Sequence, residues 1–231
     1  MNYFKNRAIS LKLFVLFLFM QNLVLAQDDF REFTMKIYKK DLKGVEELIN
    51  KGVDVNICPK KGGSTPLMVA CSMRGTDEII ELLLSKGADV NFKTERDGRT
   101  PLMWAAKNSE KAVELLLAKG ADVKTKGLDG MTAFIQSIYG ILSGSVTTDV
   151  CDLLLEKGAD VNAQLTGDDA AGWTALLFAS KNEKLDLVKY LISKGADINH
   201  KAKDGKTALS LSLKNENSDI TKLLKSKGAN E

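Results

Sequence analysis

The sequence predicts an all-α solenoid: stacked helix–turn–helix units joined by β-hairpin loops. Two interleaved phrases and the character of the stretches between them predict it. The first phrase is GVDVN at 52–56, GADVN at 87–91, GADVK at 120–124, GADVN at 158–162, GADIN at 195–199 and GAN at 228–230. Its glycines stand 35, 33, 38, 37 and 33 residues apart. The second is GSTPL at 63–67, GRTPL at 98–102, GMTAF at 130–134, GWTAL at 172–176 and GKTAL at 205–209. Self-similarity at such a period marks a stacked repeat architecture. Leu and Lys are abundant and there are only 3 prolines, so the stretches between the phrases favour helix.

Each element has a local cause. The Thr of the second phrase can cap a helix by accepting a bond from a free backbone N–H. Pro66 and Pro101 follow at the first helical position, where a missing N–H costs nothing. The first helix of each unit is short and carries small residues, such as Ala70-Cys71 and Ala105-Ala106, which let neighbouring helices approach closely. The second helix has the larger apolar face, as in Ile79, Ile80 and Leu82 to Leu84, or Val113 and Leu115 to Leu117. It stops at Lys-Gly, where Gly takes the left-handed conformation that ends helices. The Asp-Gly pairs that open the next unit form turns. One unit cannot bury both its helices, but a stack can.

Six units follow, over residues 28–60, 61–95, 96–127, 128–169, 170–202 and 203–231. The first is divergent. Phe33, Ile37, Leu42, Val45, Leu48 and Ile49 fill its apolar positions, but the Thr-Pro-Leu start is absent. The last is polar, with Ser210, Ser212, Asn215, Asn217, Ser218 and Thr221. Both departures suit end units, whose outer faces must be wettable.

The two phrases resemble the ankyrin repeat, and the resemblance spans residues 28–231, nearly everything beyond the N-terminal leader. It implies an L-shaped stack, with hairpin loops along one edge and a concave face made by the short first helices. It also implies a protein-binding scaffold. The chain departs from the family in four ways. The usual His after Thr-Pro-Leu is replaced by Met68, Met103, Ile135, Leu177 and Ser210, so its inter-helix bonds must be lost or replaced. The third unit is one residue short between its helices, near Asn108-Ser109. The fourth is about five residues longer there, around Gly140 to Thr148. The loop between Asn162 and Thr174 is about four residues longer than its counterparts.

Residues 1–26 read as a secretory signal. Lys5, Arg7 and Lys12 precede an apolar run from Leu13 to Met20, extended by Leu23 to Leu25. Val24 and Ala26 occupy the two positions a signal peptidase reads, and Gln27-Asp28-Asp29 is polar. The run is short and interrupted for a bilayer span, so cleavage after Ala26 is the expectation and an uncleaved anchor the alternative. The expected location is therefore periplasmic or secreted. Those three cations account for the whole net charge of +3, leaving 30 basic against 30 acidic residues, so no nucleic-acid partner is expected. Three cysteines in an exported chain make no disulfide framework. Cys71 and Cys151 fall at packed helix positions, and Cys58 falls in an exposed loop as the one candidate for reactivity.

Catalytic chemistry finds no support. His200 is the only histidine and lies in a loop, and no Cys-x-x-Cys pair or phosphate-cradling glycine loop occurs. Asp168-Asp169, near Asp149 and Asp152 in sequence, matches no calcium-loop spacing. No enzyme activity, cofactor or metal is expected.

In the implied stack, the residues flanking the hairpin Gly and those after the small pair of the first helix face the groove. These are Arg96, Arg99, Lys107 and Asn108, then Met131 and Tyr139, then Trp173, Lys181 and Asn182, then Lys206 and Lys214. They describe a basic groove with Met131, Tyr139 and Trp173 near its middle, the composition of a protein-binding hot spot. Trp173 is expected on an exposed turn, the alternative being that it packs over the long fourth hairpin. Trp104 is expected to pack in the core. The chain is thus expected to be an exported, monomeric scaffold that binds, and so inhibits, protects or assembles, a protein partner through its concave groove and hairpin tips. The alternative is a surface or secreted protein mediating host or cell contact.

Overall fold

The computed structural model describes residues 26–58, 63–167, 170–213 and 218–230. Apart from Ala26, the leader lies outside these residues, as do Asp168-Asp169 and Lys214. The described elements are helical, and no strand occurs among them. The helices pair as α1 (26–38) with α2 (Leu42–Asn50), α3 (Pro66–Cys71) with α4 (Asp77–Ser85), α5 (Pro101–Asn108) with α6 (Glu110–Ala118), α7 (Ala133–Leu142) with α8 (Thr148–Glu156), α9 (Ala175–Lys181) with α10 (Leu185–Ser193), and α11 (Ala208–Ser212) with α12 (Asp219–Ser226). First helices α3, α5, α7, α9 and α11 contact one another in succession, and so do the second helices α2, α4, α6 and α8.

The local causes named in the sequence operate as expected. Thr65, Thr100, Thr132 and Thr207 each accept a bond from the backbone N–H three residues on. Thr174 has the same extended backbone but makes no cap bond, and its hydroxyl is buried without a partner. At the other end of the unit, Gly87 sits at φ +87 with open space where a Cβ would be. That lets Ala88 N–H bond back to Leu83 O at 3.0 Å and close the helix.

The core is one continuous row. Leu83, Leu116, Leu154, Leu191 and Leu224 occupy one register of the second helices, all at 0% exposure. The small residues of the first helices, Ala70, Ala105, Ala106, Ala133, Ala175, Ala179 and Ala208, are buried opposite them. Met68, Met103, Ile135 and Leu177 fill the family's His position as buried apolar side chains.

Three expectations are refined. The loops are not β-hairpins in the strict sense, since each is a turn too short for a strand ladder. A backbone bond closes four of them: Thr94 N–H to Arg99 O, Gly127 to Met131, Leu165 to Trp173 and Ala202 to Lys206, at 2.8–3.0 Å. The extra residues of the fourth unit build helix as well as loop: α7 runs ten residues against six to eight in α3, α5 and α9. Gly140 makes that extra turn possible, because a Cβ there would meet Lys107 O at 2.7 Å. The shortened third unit has no linker: Ser109 ends α5 and, accepting from Ala112 N–H, also caps α6.

Asparagines stitch the loop bases together. Asn56 donates to Gly87 O (3.1 Å) and accepts from Asp89 N–H (2.7 Å). Asn91 does the same to Gly120 and Asp122, Asn162 to Gly195 and Asp197, and Asn199 to Gly228 and Asn230. Each rung joins one unit to the next. Lys124 stands where the rung between units three and four would start.

Candidate protein-binding face

The concave face is built from two kinds of position: the residue just before the capping Thr, and the fourth and seventh residues after it. The first kind holds Arg99, Met131, Trp173 and Lys206. The second holds Trp104 and Lys107 on α5, Gln136 and Tyr139 on α7, and Phe178 and Lys181 on α9.

Side chains from units three to six gather here. Arg99 Nη2 donates to Asp129 at 2.7 Å. Both charges act on Tyr139, whose phenol is pushed up, first by burial and then by Asp129, with Arg99 opposing. The Tyr139 ring lies 5.1 Å from that of Phe178, which lies 5.0 Å from Trp173. Tilted pairs at such distances are favourable beyond their burial. The ammonium groups of Lys181 and Lys206 sit 5.2 and 5.5 Å from the Trp173 ring. Trp173 Nε1–H donates to Asp204, which also pairs with Lys206 at 2.8 Å.

Several candidates are not exposed as the sequence suggested. Trp173 is only 5% exposed and Met131 6%. The backbone carbonyl at this position is tied across the loop, which lays the side chain down over the first helices. For Trp173, Phe178 beneath and the lysine stems above complete the cover. Trp173 is therefore a support of the groove floor and not an exposed hot spot. Arg99 is likewise held inward, its side chain 14% exposed and one nitrogen, Nη1, buried without a hydrogen-bond partner.

Asn108 seals helix ends, donating to Trp104 O (2.8 Å) and Cys71 O (3.3 Å), and Asn182 does the same at Phe178 O (2.8 Å). Arg96 is exposed at a loop tip, apart from the aromatic chain. Lys107 is half-buried, Lys181 and Lys206 are exposed, and Trp104 is half-buried against the core. Sequence reasoning missed Phe178, the centre of the cluster, although its place four residues after Thr174 was there to be read.

Other chemistry is sparse. Among the described residues no His, Cys, Asp or Glu cluster is suited to hold a metal ion. Cys71 and Cys151 are buried, and burial pushes both thiols up, Cys151 to about 11. His200 bonds the Gly172 carbonyl at 2.7 Å and so ties two successive loops. No described helix is long and apolar enough to cross a membrane.

The ankyrin-repeat family model, in three copies, matches residues 34–127, 95–164 and 138–231. The chain belongs to the ankyrin-repeat family. It is similar to an ankyrin repeat and SAM domain-containing protein of Rattus norvegicus, 47% identical over 53 residues, which is 23% of this chain and 6% of that protein. An ankyrin repeat protein of fowlpox virus (strain NVSL) is 38% identical over 64 residues, 28% of this chain and 16% of its own length. A palmitoyltransferase of Naumovozyma castellii is 52% identical over 52 residues, 22% of this chain and 6% of the enzyme. The chain thus matches only a small part of each of these relatives. The family is generally non-catalytic, and its repeats imply a protein–protein interaction scaffold.

Proposed function

We propose that this protein is an exported, non-catalytic and monomeric scaffold that holds a protein partner against its concave face and loop tips, and so inhibits, protects or assembles that partner. The observation that carries the reading is the side-chain cluster of Arg99, Tyr139, Phe178, Trp173, Lys181 and Lys206, with ring contacts from Tyr139 through Phe178 to Trp173 and both ammonium groups against Trp173. It draws on four successive units. Tyr139 stays half-buried at the surface of this cluster, and Tyr is enriched where proteins bind proteins. Export rests on the charged, apolar and polar regions of residues 1–29.

Two measurements test the reading. Chemical crosslinking in the native source, with Lys107→Glu/Lys181→Glu compared against the back-face pair Glu81→Lys/Glu114→Lys, should lose the partner for the groove variant alone. Loss in both variants, or in neither, would take the binding site off the concave face. Separately, fractionation and N-terminal sequencing should find the chain outside the cytoplasm and starting at Gln27. Removal of residues 1–26 should retain it inside.

A further inference from the structure

Lys107, Tyr139 and Lys181 share one register, seven residues after Thr100, Thr132 and Thr174. Their helices stack in the order α5, α7, α9. The three side chains therefore form a row, cation–phenol–cation, running across three units. Tyr139 is half-buried with its ring on Phe178, while Lys181 is exposed. Among the described residues neither Lys107 nor Lys181 has a carboxylate within ion-pair distance, whereas Arg99 and Lys206 are matched by Asp129 and Asp204. Among the described residues the row thus carries two cations without counter-charges on either side of one amphipathic ring.

The spacing adds a metric. Packed helices lie roughly 8–10 Å apart, and an extended chain advances about 3.3 Å per residue. About three residues of an extended segment therefore span one unit. We propose, building on the scaffold reading above, that this row takes an extended partner segment of the pattern acidic–x–x–apolar–x–x–acidic. The two carboxylates meet Lys107 and Lys181, and the central apolar side chain rests on Tyr139. A single-stranded nucleic acid fits less well. The Trp173 and Phe178 faces on which bases would stack are covered, at 5% and 9% exposure.

Selection of random linear twelve-residue peptides displayed on phage against the full chain tests this. The expected result is enrichment of peptides with Asp or Glu six positions apart and an apolar residue midway. A synthetic peptide of that consensus should bind at least tenfold more tightly to wild type than to Lys107→Glu/Lys181→Glu. That variant, checked for an unchanged melting curve, should select Lys- or Arg-bearing peptides in their place. Enrichment of neutral or basic peptides, or of another spacing, on wild type would overturn the proposal and leave the scaffold reading standing. No enrichment at all would overturn the proposal, and the scaffold reading would then stand or fall on the crosslinking comparison. Displacement of the consensus peptide by a thymidine oligonucleotide at equal or lower concentration would overturn it in favour of nucleic acid.

Discussion

The junction between units two and three and the junction between units three and four hold together by different means. In the first, Asn91 locks the loop bases, donating to Gly120 O and accepting from Asp122 N–H. In the second, Lys124 occupies the same place. A lysine side chain offers no acceptor, so it cannot take the Asp160 N–H, and it runs past Gly158 instead. The turn itself survives, since Lys124 N–H still bonds Asp122 at 2.9 Å. At the tip both junctions carry a backbone bond, and in the first Asp97 O accepts from Leu128 N–H at 3.0 Å. The longer loop after Asn162 reaches over its neighbour, and Asp129 O accepts from Thr166 N–H at 2.7 Å and Gly167 N–H at 3.3 Å. The long loop thus adds a second donor, Gly167 N–H, to a tip contact that both junctions share.

The largest test of this comparison is Trp173→Ala. The Trp173 carbonyl closes the long loop and its ring pins that loop to Phe178. Truncation should cost about 3–5 kcal/mol, as for other buried aromatics, read as a drop in urea midpoint. The loss should fall most heavily on protection of the Thr166 amide from hydrogen exchange. Leu116→Ala, on the core side of the same junction, should cost about 2–5 kcal/mol but spread its loss over units three and four alike. A Trp173→Ala midpoint equal to wild type would return that residue to the exposed role the sequence suggested.

Smaller changes sharpen the contrast. Asn91→Lys copies the missing rung to the first junction and should cost about 1 kcal/mol for each of the two exposed bonds lost. Lys124→Asn should restore the rung and add about 0.5–1.5 kcal/mol, with slower exchange of the Asp160 amide. If both variants melt like wild type, the rungs carry no stability.

The smallest effect is on pH dependence between units four and five, where Asp152 binds Lys194 and the Tyr190 hydroxyl. The Lys194 bond first, then that of Tyr190, holds the Asp152 carboxyl below its ordinary value of 3.8. Its contribution is therefore complete above that value and drains away as pH falls below it, through the lower folded value. Asp152→Asn should flatten this acid limb by about 1 kcal/mol or less, since the pair is partly exposed.

Much of the fold was legible because its causes are local. A Thr cap, a Pro at the first helical position and a Gly after the last turn act within a few residues, so each phrase announces its own unit. The core register followed from helical spacing alone. What the sequence concealed depends on neighbours about thirty residues away. Lys124 was visible as a departure from the phrase, but its meaning lies in bonds that asparagines make to the next unit. Trp173 was read as exposed because its own turn is a surface turn, and its cover comes from Phe178, Lys181 and the next loop. Arg99 stands by position as a contact for a partner, yet Asp129 of the following loop holds it.

The hydrogen that replaces a side chain at Gly140 lets α7 close on the Lys107 backbone. The pitch of the groove at its centre is thereby set at a residue no partner would touch. Any added carbon there would spread α5 from α7 and stretch the interval between Lys107 and Tyr139. Selection on the spacing of a bound segment can consequently act on the scaffold's back-to-back fit, with every contacting side chain left unchanged.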